Sequence, residues 1–137
     1  MHKLLSRHPV WQQNGIFLLR LIVAVFLIYH GWEVFDKKTM QEYQTWDVFK
    51  GEGKQWMPYL GKAMELFSGV LLLVGFLTRF AALLVVCTLG YIAFFVGGGK
   101  VWYADQHPFL FVLLALVFIF TGPGNYSLDH VFFKPKN

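Results

Sequence analysis

Four apolar runs dominate the sequence, and they constrain the fold more than any other feature. They cover residues 15–35, about 59–77, 80–96 and about 108–121. At a rise of about 1.5 Å per residue, about 20 residues cross the hydrocarbon core of a bilayer, so the fourth run needs flanking residues such as Tyr103. Backbone amides and carbonyls in lipid must be hydrogen-bonded within the chain, which leaves helices as the expected structure. The sequence therefore predicts four transmembrane helices.

The composition indicates a membrane protein rather than a soluble one. Hydrophobic residues make up 56% of the 137 positions and charged residues 15%, whereas soluble domains carry about 25% charged residues. The net charge of +4 is spread along the chain without a basic cluster of the kind that binds phosphates, so nucleic acid is not an expected partner. The single cysteine, Cys87, excludes an internal disulfide. The length fits one membrane domain over residues 1–137.

We expect an all-α fold, a polytopic antiparallel bundle of four transmembrane helices with both termini on one side of the bilayer. The short GFLTRF turn makes the second and third helices antiparallel neighbours. The long connection between the first two helices carries Met40, Tyr43, Trp46 and Phe49 at every third position, which predicts a helix at the membrane interface. Lys and Arg divide six against six between the two sides, so charge counting leaves the orientation open.

The stretch FLIYHGWEVF places His30 and Glu33 at the end of the first span. Glu65 lies about two turns into the antiparallel second helix and His107 opens the fourth, so all four residues fall in one layer of the bundle. Lys37 shares the helical face of His30 and Glu33 if the first helix continues. Ionisable groups at membrane depth are costly and by default mark functional sites. The layer therefore predicts a ligand-binding or proton-handling pocket, with structural hydrogen bonding as the alternative.

A metal ion is not expected in this layer. Bundle proteins hold iron or manganese with Glu-x-x-His pairs on facing helices. Here one pair has that spacing, and its order is reversed, with His30 before Glu33.

A second polar layer is predicted at the opposite end of the bundle. Arg20 lies about a turn into the first span, Arg79 lies in the tight turn, and Asp129 follows the Gly122–Gly124 break after the fourth span. An arginine this close to hydrocarbon needs an acceptor, so Asp129 is expected to pair with Arg20 or Arg79. This layer is interpreted as structural.

Three segments, LLRLIVAVFLIYHG, GKAMELFSGVLLLVGFLTRFAALLVV and GPGNYSLD, together resemble the DoxX family of small bacterial four-helix membrane proteins. The positions that carry the resemblance are Arg20, His30, Gly31, Glu65, Gly69, Gly75, Thr78, Arg79, Gly122, Pro123, Gly124, Ser127 and Asp129. Relatives of this family include the membrane subunit of thiosulfate:quinone oxidoreductase. Family members often have a lysine four residues after the histidine, where this chain has Val34. Glu33 and Lys37 are the candidates to replace it.

The resemblance implies a subunit or accessory of a redox system in the bacterial inner membrane. A quinone-like molecule would meet the His30–Glu65 layer, and a partner protein would supply electrons, because the chain has no cofactor fingerprint of its own. The alternatives are a non-enzymatic scaffold or assembly factor, and a carrier of a small hydrophobic molecule. Whether the chain is catalytic, and whether it forms a homo-oligomer in the lipid bilayer, stay open at this point.

Overall fold

The computed structural model describes residues 6–134, and within this range no residue forms a β-strand. Six α-helices follow one another: α1 (Gln12–Gly31), α2 (Lys37–Gln44), α3 (Met57–Val74), α4 (Thr78–Tyr91), α5 (Gln106–Thr121) and α6 (Leu128–Phe132). Three further turns are a 3-10 turn after α1 (Trp32–Phe35), a second 3-10 turn (Asp47–Phe49) and a π-helical turn after α4 (Ile92–Val96). The predicted all-α class is confirmed.

Three helical stretches have the length and hydropathy to cross a membrane: Gln12–Phe35, Met57–Val74 and Thr78–Val96. The fourth predicted span is the apolar helix α5, which has 16 residues. Its length of about 24 Å falls short of a hydrocarbon core of about 30 Å. Each helix begins slightly before its predicted start, at residues 12, 57, 78 and 106 instead of 15, 59, 80 and 108.

The helix of the second span ends three residues before the approximate end, about residue 77, that the sequence predicts. Helix α3 ends at Val74 because Gly75 takes a left-handed conformation with φ of 68°, which is easy for glycine. The amide of Phe76 then donates to the carbonyl of Leu71 at 3.0 Å, closing the helix end. Leu77 is also left-handed, with φ of 47°, and α4 starts at the next residue. Two left-handed residues therefore make the tight turn between α3 and α4.

Helices α1 and α3 run in opposite directions in close contact through two glycines. Gly31 of α1 lies against the backbone of Leu66, and Gly69 of α3 lies against Ile28. A Cβ atom at position 69 would be 3.0 Å from the backbone nitrogen of Ile28, so a side chain there would push the helices apart. Helix α3 also packs on α4, and α4 packs on α5. The buried apolar side chains between these helices include Val23, Leu27, Leu72, Val85 and Phe118.

The predicted helix in the long connection is confirmed as α2. Asp36 caps it by accepting hydrogen bonds from the amide of Lys38 at 3.0 Å and from the hydroxyl of Thr39 at 2.6 Å. Met40 and Phe49 are buried against the protein, whereas Trp46 is exposed. The apolar positions that predicted an interfacial helix are thus divided between the protein interior and the surface.

Candidate functional site

The predicted polar layer at the end of α1 comes together in the structure. The Nδ1 atom of His30 lies 4.0 Å from Oε1 of Glu33, which is longer than a hydrogen bond. The imidazole rings of His30 and His107 meet edge to face, with centroids 5.0 Å apart. His30, Glu65 and His107 line one cavity. Three helices therefore contribute ionisable side chains to a single cluster.

The backbone after α1 explains the position of Glu33 and corrects the prediction for Lys37. The α-helix ends at Gly31, and Trp32–Phe35 continues as a tighter 3-10 turn. Asp36 is then extended, with φ of −89° and ψ of 98°, and Lys37 opens α2 as an exposed residue. Lys37 does not share a face with His30 and Glu33, because the helix does not continue that far.

The residue at the centre of the cluster is Lys62, whose place in the pocket was not predicted from the sequence. Its Nζ atom lies 2.9 Å from Oε2 of Glu33 and donates to Oε2 of Glu65 at 3.3 Å. The ammonium group of Lys62 on α3 therefore links Glu33, in the turn after α1, to Glu65 of α3 itself. The signal in the sequence is the spacing of Lys62 and Glu65, three residues apart on one helical face.

Tyr43 of α2 is a second residue of the site that was not predicted from the sequence. Its hydroxyl donates to Oε2 of Glu33 at 2.7 Å, and the ammonium of Lys62 lies 5.4 Å from the centre of its ring. Burial and the hydrogen bond to Glu33 both raise the pKa of Tyr43 above its usual value of 10.0. The phenol therefore stays protonated at neutral pH and acts as a donor that holds α2 onto the cluster.

A cavity of about 560 Å³ adjoins the cluster. Its lining is mostly apolar and aromatic, and it is formed by α1, α3, α4, α5 and the α1–α3 connection. The aromatic contributions include Tyr43, Trp46, Phe49, Trp56, Tyr91 and Phe111. The volume suits a small organic ligand, and the polar groups at one end suit its orientation by hydrogen bonds. Cys87 and Thr88 of α4 line the wall as well.

The described residues, 6–134, contain no group of three or more His, Cys, Asp or Glu side chains arranged to hold a metal ion. The carboxylates of Glu33 and Glu65 both contact the ammonium of Lys62. The side chains of the cluster can donate and accept hydrogen bonds and exchange protons.

The predicted ion pair between Asp129 and an arginine does not form among the described side chains. Arg20 is fully buried and donates to five backbone carbonyls, with distances from 2.5 to 3.4 Å: Leu72, Leu73, Pro123, Asn125 and Tyr126. The end of α3 and the segment after α5 turn these carbonyls toward Arg20, and they take the place of the expected carboxylate.

Asp129 binds backbone amides rather than an arginine. Its carboxylate accepts from the amides of Leu77 at 2.6 Å and Thr78 at 2.8 Å, which caps the start of α4. Arg79, the other candidate, donates from Nε to the carbonyl of Ile119 at 3.1 Å. The residues of this layer thus hold the end of α3 and the start of α4 against the segment that follows α5.

Comparison with known proteins gives two matches. The sequence model of the DoxX family matches residues 15–98. An uncharacterized protein from Haemophilus influenzae is 31% identical over 125 residues, covering 85% of this chain and 89% of that protein. No solved structure matches the chain significantly.

Proposed function

The chain belongs to the DoxX family, and from this premise we propose that it binds a quinone-like lipophilic molecule as a subunit or accessory of a redox system in the bacterial inner membrane. The observation that carries the proposal is the cavity of about 560 Å³ whose polar end is formed by His30, Lys62, Glu65 and His107. A partner protein supplies the electrons, since a single cysteine cannot ligate an iron–sulfur cluster.

The chemistry of the cavity matches the two parts of such a ligand. Aromatic rings such as Trp46 and Phe111 offer flat apolar surfaces for a quinone ring and its hydrocarbon tail. Quinone carbonyl oxygens accept hydrogen bonds, and the imidazole of His30 and the ammonium of Lys62 can donate them. Several residues of the α3 and α4 wall, including Leu60, Cys87 and Tyr91, are exposed, so the cavity is open along this wall. A ligand dissolved in the bilayer reaches the cavity between these two helices.

The membrane arrangement that goes with this proposal has four spans. Helix α5 serves as the fourth span, with the aromatic residues Trp102 and Tyr103 before it at the interface. Both termini then lie on one side of the membrane. Reporter tags attached to the two ends should show the same sidedness in membrane vesicles, and opposite sidedness would reduce the number of spans to three.

The first test is ligand binding. A soluble quinone analogue should bind the purified protein, and Glu65→Gln should weaken binding about tenfold, or about 1.4 kcal/mol, because Lys62 loses the carboxylate that holds it toward the cavity. Glu42→Gln, which changes an exposed carboxylate of α2, is the matched control and should bind normally. No binding by the unaltered protein, or equal binding by a well-folded Glu65→Gln protein, would contradict the proposal.

Cys87 offers an independent test in the same cavity. It is the single cysteine of the chain and it lines the cavity wall, so a lipophilic maleimide reports on that wall alone. A bound quinone analogue should slow the labelling of Cys87 several-fold by covering the thiol. Unchanged labelling at saturating analogue would place the analogue elsewhere.

A non-enzymatic scaffold or assembly factor is the second candidate. The observation that favours it is that Lys62 already has two carboxylate partners within the protein, as a purely structural network would. In that case His30 and Glu65 variants lose stability or partner binding together, with no ligand involved. A carrier of a small hydrophobic molecule would use the same cavity, and it would bind the molecule without any redox partner.

A further inference from the structure

The three charged groups of the cluster form a chain along which burial increases. The side chain of Glu33 is 29% exposed, that of Lys62 is 15% exposed and that of Glu65 is 4% exposed. Adjacent groups are in contact, with 2.9 Å from Glu33 to Lys62 and 3.3 Å from Lys62 to Glu65. The chain therefore leads from a solvent-accessible carboxylate to an enclosed one without a gap.

The two ends of this chain face different spaces. Glu33 lines a groove of about 460 Å³ on the outside of the molecule, together with Tyr29, Trp32 and Asp36. Lys62 and Glu65 line the cavity of about 560 Å³. Glu33 thus stands in the wall between the outer groove and the cavity, with its carboxylate bound to Lys62 on the cavity side.

We propose that Glu33, Lys62 and Glu65 form a proton path between the outer groove and the cavity. A hydronium ion in the groove protonates Glu33 and leaves as water, and the ammonium of Lys62 passes a proton to the carboxylate of Glu65. The resulting neutral amine of Lys62 then takes the proton of Glu33. One proton has moved inward and Lys62 has regained its charge, so the step balances and can run in either direction.

The surrounding groups fit this role. Tyr43 donates to Glu33 and keeps it pointed at Lys62, while its own proton stays in place. His30 and His107 lie at the cavity side, where they can accept a proton from the path or present one to a ligand. A lysine suits the central position because its amine can lose and regain a proton, whereas the guanidinium of arginine cannot be deprotonated in proteins.

This inference deepens the proposed function, since the path would supply protons to a quinone in the cavity, but its test needs no ligand. The exchange of the Glu65 carboxylic proton can be followed by infrared spectroscopy in its C=O stretch after a switch from H₂O to D₂O. The pH is lowered until that band appears, and Glu65→Gln identifies it. Measuring quinone-analogue binding separately keeps a failure of the path distinct from a failure of the proposed function.

The decisive variant is Lys62→Arg, which keeps the charge and the two carboxylate contacts but cannot release a proton. In this variant we expect the carboxylic proton of Glu65 to exchange at about one tenth of the normal rate or more slowly still, because the relay is interrupted at its centre. Lys54→Arg, an exposed lysine outside the cluster, is the matched control and should exchange at the normal rate. Exchange at the normal rate in a folded Lys62→Arg protein would overturn the proposal.

A second variant covers the case in which Lys62→Arg does not fold. Glu33→Gln keeps a hydrogen-bonding side chain of the same size but cannot carry a proton, so it should also slow the exchange of Glu65. Glu33→Asp should restore part of the rate. If Glu33→Gln exchanges as fast as the unaltered protein, protons reach Glu65 by another route and the path is wrong.

Discussion

The two buried polar layers of this molecule hold their charges in different ways. At one end, Arg20 is completely enclosed and its partners are backbone carbonyls of the α3 end and the segment after α5. At the other end, Lys62 is held by the side chains of Glu33 and Glu65 beside a cavity. Backbone partners cannot change protonation or rotate away without unfolding the chain, whereas side-chain partners can do both. The first layer is therefore suited to holding the fold, and the second is suited to chemistry.

The largest expected effect comes from removing Arg20. Arg20→Met leaves several buried carbonyls without a donor, and each such group costs about 1–3 kcal/mol, so we expect a loss of about 3 kcal/mol or more in the free energy of unfolding. Thermal unfolding in detergent measures this loss. Arg79→Met is the control, because Arg79 is exposed and, within residues 6–134, its side chain makes one hydrogen bond, to the carbonyl of Ile119. If the two variants were equally stable, the Arg20 layer would not be the one that holds the fold, and the contrast drawn between the two layers would be wrong.

The second effect concerns the cap that Asp129 provides for α4. Asp129→Ala removes the acceptor for two backbone amides at the helix start, which should cost about 1–2 kcal/mol. Asp129→Asn keeps one side-chain oxygen as an acceptor and should lose less. The same unfolding measurement tests both variants, and an Ala variant as stable as the unaltered protein would show that the cap contributes nothing.

The third effect should be local to the cluster beside the cavity. Tyr43→Phe removes the hydrogen bond to Glu33, and we expect a cost of about 1 kcal/mol, mainly in the attachment of α2. Hydrogen exchange should accelerate in residues 37–44 and change little in α3. Tyr103→Phe, at an exposed tyrosine, should leave both regions unchanged. Equal acceleration across α3 would mean that this cluster, like the Arg20 layer, holds the whole fold.

The smallest effect is a pH dependence at the start of α2. Hydrogen bonds from the Thr39 hydroxyl and the Lys38 amide lower the pKa of Asp36 from its usual 3.8. A lowered pKa means that the cap stabilises α2 fully above pH 3.8 and is lost as the pH falls through the lower folded value. Pepsin should then cleave residues 37–56 faster at the acid end of its range. Asp36→Asn should show no such pH dependence beyond that of pepsin itself.

The sequence was sufficient to predict that the four apolar runs are helical and that His30, Glu33, Glu65 and His107 lie close together. Apolar runs of helical length, and charged residues at the same depth in neighbouring runs, can be identified directly from the sequence. The family assignment is confirmed by the match over residues 15–98.

The pairings within each layer could not be predicted in the same way. Arg20 has backbone carbonyls as its acceptors. Every residue has a backbone carbonyl, so the residue types do not show which carbonyls will bind the arginine. Lys37 was expected beside Glu33, but a change from α-helical to 3-10 geometry at Trp32 and an extended residue at Asp36 turn it away. Lys62 takes that place from another helix. Which cation reaches a carboxylate depends on a few backbone angles that residue spacing does not determine.

The glycine contact between α1 and α3 has a mechanical consequence. With Gly31 against Leu66 and Gly69 against Ile28, the two helices approach so closely that a Cβ atom at either glycine would clash with the other helix. The two helices therefore move together as a rigid pair, and this pair forms a fixed wall of the cavity. If the cavity expands to bind a large ligand, the opposite wall has to move, where α4 ends in the π-helical turn Ile92–Val96. Distance labels on α4 would register that motion, and labels on α1 and α3 would serve as the stationary reference frame.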